Sequence, residues 1–183
     1  MLLFFLILGF ARTDAALIMQ FLLASGIITQ ARLVVRSSMF KDTLHTCDKG
    51  DWYPIIHENS FANKLPGTIA QNCKWIQYLS LMLFPELEKD ETFLKSKYWR
   101  LFLLLKNLCE FLLAPKLSDF QVEQQTKLLH EYLEIRLSLI DEDDVCPISP
   151  KHLFATHYDE IIRSVGCLAW LHTNRFEVEC LKK

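Results

Sequence analysis

Apolar residues recur along most of the chain at intervals of three and four, the spacing of one face of an α-helix. From Asp14 to about Leu23, Leu17, Ile18, Phe21 and Leu22 make such a stripe, and Gly26 stands where a helix ends. Thr29 to Met39 predicts a second, shorter helix that carries Ile28, Ala31, Leu33, Val34 and Val35, with Arg32 and Arg36, four apart, as a solvated outer stripe. Residues 41 to 66 hold Gly50, Pro54 and Pro66 among many polar positions and read as a long surface loop. Thr68 then caps a helix through Ile69, Cys73, Ile76, Leu79 and Leu83 that should end before Pro85.

Asp90 caps the next predicted helix, in which Phe93, Leu94, Trp99, Phe102, Leu103, Leu105, Leu108, Phe111 and Leu112 nearly encircle the axis before Pro115 ends it. Ser118 with Gln121 forms a capping box, and Leu117 with Val122 the accompanying staple. The helix they open should bury Leu129, Leu133, Arg136, Leu137 and Ile140 and turn Lys127, Glu131 and Glu134 outward. After the acidic connection Asp141 to Asp144, the stretch from Pro147 to Pro150 leads into a terminal helical pair broken near Gly166. No segment alternates with period two. The expectation is therefore an all-α fold, an irregular multi-helix array of about six helices in a single domain over residues 1–183. Within it lie N-terminal apolar helices (1–40), a loop (41–66), central helices (67–145) and a C-terminal segment (147–183).

Composition narrows the function classes. With 183 residues and 51% apolar content the chain can bury a core without metals or disulfides. Twenty basic residues against 22 acidic ones give a net charge of −2, so the basic footprint of a nucleic-acid binder is missing. Cys47, Cys73, Cys109, Cys146, Cys167 and Cys180 contain no C-x-x-C pair, which leaves zinc knuckles and redox motifs unsupported. Cys73 and Cys109 sit in apolar helical runs, where a buried thiol is the usual occupant.

Met1 to Phe10 has the length of a signal-peptide apolar region, with small residues from Ala11 to Ala16 for cleavage. It lacks a preceding basic residue, and the apolar pattern resumes from Ala15 to Leu23. Arg12 and Asp14 keep either half from the ~20 residues of a membrane span, so a membrane partner is not expected. A buried helical segment is the expected reading, and a small secreted or lumenal helical protein with a cleaved signal peptide is the alternative.

Catalytic signatures are sparse. No Gly-x-Ser-x-Gly, phosphate loop or His-Glu-x-x-His occurs. His152 and His157, five apart, are turned about 140° from each other on a helix and make poor joint metal ligands. Glu177 and Glu179, two apart, cannot share a helix face, and the four acids Asp141 to Asp144 lack the pattern of a calcium loop. No metal site is expected.

One block is more informative. Pro150-Lys-His-Leu-Phe-Ala-Thr-His-Tyr158, then Ile161-Ile-Arg-Ser-Val-Gly166 and Leu171-His-Thr-Asn-Arg-Phe-Glu177, resembles the P-K-x-H-x-x-x-H-Y … I-x-x-x-G-P … R-F-E block of CACTA-like cut-and-paste DNA transposases and transposon-derived proteins. Lys151, His152, His157, Tyr158, Gly166, Arg175, Phe176 and Glu177 carry the resemblance, and Leu65 to Trp75 is similar to the helix start preceding the family's helical insertion. The resemblance implies an RNase H-like domain in which three acids hold two Mg or Mn ions for strand transfer, and an intracellular, nuclear location. Glu177 is the one carboxylate candidate here. Met1 to Phe10 holds no Asp, Glu or His where the family has an acidic, histidine-containing stretch, and Cys167 replaces the family's proline. One carboxylate cannot build a two-metal centre. The chain is thus expected to be a catalytically inactive, transposase-derived helical fragment without cofactor or nucleic-acid partner, its remaining capability being self-association or binding of a protein partner through exposed apolar faces.

Overall fold

The computed structural model describes residues 2–43, 61, 64–88, 90–114, 116–143 and 147–166. Among them there are helices and no strand: α1 (Leu2–Ala24), α2 (Gln30–Thr43), α3 (Ile69–Leu87), α4 (Glu91–Leu94), α5 (Lys97–Leu113), α6 (Asp119–Asp143), α7 (Pro150–Ala155) and α8 (Tyr158–Val165). The fold is all-α, with eight helices among the described residues where the spacing predicts about six. The chain divides into two compact units, Met1–Phe10 with Leu104–Lys183, and Ala11–Leu103. Of the predicted loop over 41–66, residues 44–60, 62 and 63 lie outside the described residues.

In the unit Ala11–Leu103 the apolar stripe predicts a helix from Asp14, and the observed α1 starts earlier and runs through Arg12 and Asp14 without a break. Nothing between Phe10 and Ala24 breaks a helix, and the Arg12 guanidinium donates to the Leu65 carbonyl (Nη2 2.7 Å) while Asp14 is fully buried. The Leu65 amide returns a bond to the Arg12 carbonyl at 3.0 Å. Ala15, Ala16, Ile18, Met19 and Leu22 of α1 are buried, and Gly26 beyond its end takes the left-handed φ of 72° that a glycine tolerates best.

Thr68 caps α3 as predicted, accepting from the Gln71 amide at 3.3 Å while the Gln71 side chain accepts from the Thr68 amide at 2.8 Å. The helix does not stop before Pro85 but runs on to Leu87. A proline here removes one amide donor and crowds the carbonyl four residues back, yet the turn beyond it stays helical and buries Leu87 (2% exposed). Cys73, Trp75, Ile76, Leu79, Met82 and Leu83 form its buried face.

Asp90 caps a helix of four residues, accepting from Phe93 N at 2.9 Å, rather than the long one its position suggests. A second start follows, where Ser96 Oγ accepts from Trp99 N at 3.2 Å and opens α5. Nor is the apolar run buried all round, since Leu94 (40%) and Leu103 (39%) face solvent. Aromatic rings close this part of the core: Phe21 stacks on Tyr98 (centroids 3.8 Å, 11°), Phe93 packs on Trp99 (5.6 Å), and Trp99 stacks on Phe102 (5.2 Å, 23°).

In the other unit, Ser118 and Gln121 make the predicted capping box at the start of α6, with Ser118 N donating to Gln121 Oε1 at 2.8 Å and Gln121 N to Ser118 Oγ at 3.3 Å. The buried stripe of α6 is Val122, Gln125, Leu129, Tyr132, Arg136 and Leu139. It is rotated from the predicted one. Leu129 and Arg136 are buried as predicted, but Leu137 is 51% exposed and Leu133 and Ile140 are only half-buried, because the stripe also takes in Gln125 and Tyr132, which an apolar count passes over. Leu104, Leu105, Leu108 and Cys109 of α5 and Ala155, Tyr158 and Ile162 of α7 and α8 complete this core, and α8 packs along α6.

Cys73 and Cys109 are buried thiols, as expected, and neither is part of a disulfide. The other four cysteines lie outside the described residues. Burial pushes the Cys73 thiol from 9.0 up to about 12, so between those values the folded chain keeps a proton that the unfolded chain releases. Stability must then fall as pH rises through that window. The urea midpoint should drop between about pH 8 and about pH 10, and drop less in Cys73→Ala; equal losses in both proteins would remove Cys73 as the cause.

Candidate functional site

The residues that carry the family resemblance begin at the start of α7. Ser149 precedes Pro150, whose fixed φ suits the first helical position, and the His152 ring reaches back to the cap. Its Nδ1 accepts from the Ser149 amide at 3.1 Å and lies 2.9 Å from Ser149 Oγ. An amide can only donate, so Nδ1 is the unprotonated nitrogen and the ring proton sits on Nε2. His152 is 1% exposed, and its ring packs on Phe10 (4.9 Å) and Tyr132 (6.4 Å, 13°). A general base needs a lone pair that reaches substrate. This one is engaged by backbone behind two aromatic rings, and the Ser149–His152 contact is a helix cap.

Lys151, next to it, is exposed, and its stem lies over Gly9 of α1 so closely that a Cβ there would stand 2.6 Å from Lys151 Cδ. His157 occupies the cap position of α8 with its side chain 61% exposed, 3.5 Å from an equally open Glu160, a pair of small energetic weight. The two histidines sit in different settings because the chain leaves its helix between them, at Thr156 and His157. Among the described residues no group of three or more His, Cys, Asp or Glu side chains converges. The described donors therefore do not fit the two-metal centre that the resemblance implies. Arg175, Phe176 and Glu177 lie outside the described residues.

Tyr158 is 3% exposed, and its hydroxyl has no hydrogen-bond partner among the described residues. Burial, and secondarily the neighbouring Cys109, hold the phenol well above the usual tyrosine range, so it stays neutral and donates no charge to chemistry. Gly166 ends α8 at φ 87° and ψ −173°, with its amide donating to the Ile162 carbonyl at 2.9 Å. That backbone region is open almost only to glycine. The described residues of the block thus cap helices, fill core and turn the chain.

A second feature lies on the surface of the other unit. Ala31, Arg32, Val35, Arg36 and Met39 of α2, with Glu86 of α3, line an open groove of about 400 Å³. The basic stripe read as simply solvated has a partner: Arg36 Nη2 donates to Glu86 Oε1 at 3.2 Å across 50 residues of chain, a pairing that no local spacing announces. Val35 (56%) and Met39 (58%) stay exposed beside it. No helix among the described residues is long and apolar enough to cross a membrane. No protein-family model, curated protein or solved structure matches the chain.

Two substitutions test the packing roles. Tyr158→Phe removes a buried, unpartnered hydroxyl and should leave stability unchanged or raise it by up to about 1 kcal/mol, whereas Tyr158→Ala should cost about 3–5 kcal/mol. Urea denaturation reads both, and a marked loss in Tyr158→Phe would reveal a bonded hydroxyl. Gly166→Ala should cost about 1–3 kcal/mol with no clash involved, because nothing lies within 4 Å of the added carbon. Gly166→Asn should not recover the loss, since asparagine tolerates the left-handed helical region and not a ψ of −173°. Thermal melting of the three proteins checks the order.

Proposed function

We propose that this chain is a transposase-derived helical module that has lost strand-transfer chemistry and acts by protein association. The observation that supports association is the set of large apolar side chains left on helix surfaces. In the unit Ala11–Leu103 these are Val34, Val35 and Met39 of α2 and Leu81 and Phe84 of α3, each 42–59% exposed. In the other unit they are Phe120 and Leu137 of α6 and Leu153 and Phe154 of α7, each 51–67% exposed. Large apolar side chains left in water on one helix face favour a covering partner where they are contiguous.

The loss of chemistry rests on a different observation. The described residues of the resemblance are committed to structure: His152 to a helix cap between aromatic rings, Tyr158 to the core, Gly166 to a turn. A nuclease of this type aligns an attacking oxygen with two metal ions held by several carboxylates, and Glu177 alone does not supply them.

Sedimentation velocity on the purified chain should show the mean mass rising over the micromolar range. A strictly monomeric protein at high concentration removes the association reading. In parallel, incubation with duplex DNA and Mg²⁺ or Mn²⁺ should give no cleavage; cleavage that disappears in Glu177→Gln overturns the loss of chemistry.

A further inference from the structure

The groove on α2 has a chemical character that singles out its occupant. Three apolar side chains, Ala31, Val35 and Met39, line it along the helix, and its charge comes from Arg32, Arg36 and Glu86. Glu86 is nearly withdrawn, its side chain 7% exposed and one oxygen held by Arg36, while the Arg36 side chain is 36% exposed and Arg32 is open. The charge that a visitor meets is cationic. The complement is a helix with a central apolar residue flanked by acids one turn away on either side.

Such a helix edge exists on this chain. The solvent side of α6 carries Glu134, Leu137 and Asp141, all exposed, with Leu137 half in water at 51%. Glu134 to Asp141 spans eight residues, as does Arg32 to Met39, and the seven rises in each stretch make about 10 Å of helix. We infer that the groove of one copy receives the Glu134–Leu137–Asp141 edge of α6 from a second copy. Leu137 seats against Val35 and Met39, and the flanking carboxylates reach Arg32 and Arg36. The inference rests on the association reading and names its partner and its contact.

Two different patches meet, so a two-fold dimer would form the contact twice and a head-to-tail chain of copies once per pair. The contact's area is that of two helix edges, well under the ~1,200 Å² of a stable complex, which makes it a weak, salt-sensitive association. The test uses the full chain with Val35→Asp, which spoils the groove, and Leu137→Asp, which spoils the edge. Both positions are exposed, and circular dichroism verifies that each variant keeps the wild-type helix content.

In sedimentation velocity at ~50 mM salt each variant alone should associate about tenfold more weakly than wild type. An equimolar mixture should regain association, because the intact groove of Leu137→Asp meets the intact edge of Val35→Asp. Raising salt to ~500 mM should weaken wild-type association several-fold. Wild-type behaviour in either single variant, a mixture no better than its components, or association strengthened by salt overturns the inference while association by some other apolar face stands. A wild-type chain that never associates removes both.

Discussion

Polar side chains enclosed on otherwise apolar helix faces are the constraint around which this fold is arranged. Asp14 on α1, Asn72 on α3, Gln125 and Arg136 on α6 and His152 on α7 are all at most 2% exposed. An enclosed polar group without a partner costs roughly 1–3 kcal/mol, so each limits how its helix can be turned. On α6, Gln125, Tyr132 and Arg136 face inward, Gln125 with neither side-chain amide atom bonded among the described residues, and Leu137 faces outward where an apolar count places it inside.

The same constraint explains what could be read from the linear pattern. Helix starts that depend on neighbours in sequence were legible: Thr68 with Gln71, Ser118 with Gln121, and Gly26 and Gly166 as stops. These are short-range bonds and single-residue backbone preferences, and they survive whatever the tertiary setting. Features decided by distant partners were not legible. Arg12 stays helical in a fold where the Leu65 carbonyl takes its guanidinium, Arg36 leaves the solvated stripe for Glu86, and Pro85 is carried within α3 where Leu87 is buried beyond it. The division of α4 from α5 fell between the two cases: Ser96 is a visible cap residue, masked because apolar residues recur at helical spacing on both sides of it, from Phe93 and Leu94 to Trp99 and Phe102.

For the candidate site, the block from Pro150 to Gly166 was conspicuous as a pattern, while the work its residues do was not. Histidine, lysine and tyrosine close together invite a catalytic reading. The geometry gives the histidine to a backbone amide and the lysine stem to a glycine, and the tyrosine goes to the core. A residue type states what a side chain is able to do; burial and bond direction decide which ability is exercised. Large apolar side chains that the cores leave exposed lie instead on the outer faces of α2, α3, α6 and α7.

Trp75 gives the molecule an internal optical gauge. Its indole is fully enclosed on α3, its ring 5.9 Å from that of Phe61, and its N–H has no hydrogen-bond partner among the described residues. An indole in so dry a site relaxes little after excitation and emits at short wavelength, and water reaching it shifts the emission to the red. With Trp52, Trp99 and Trp170 replaced by phenylalanine, opening of α3 announces itself as colour, without an added label.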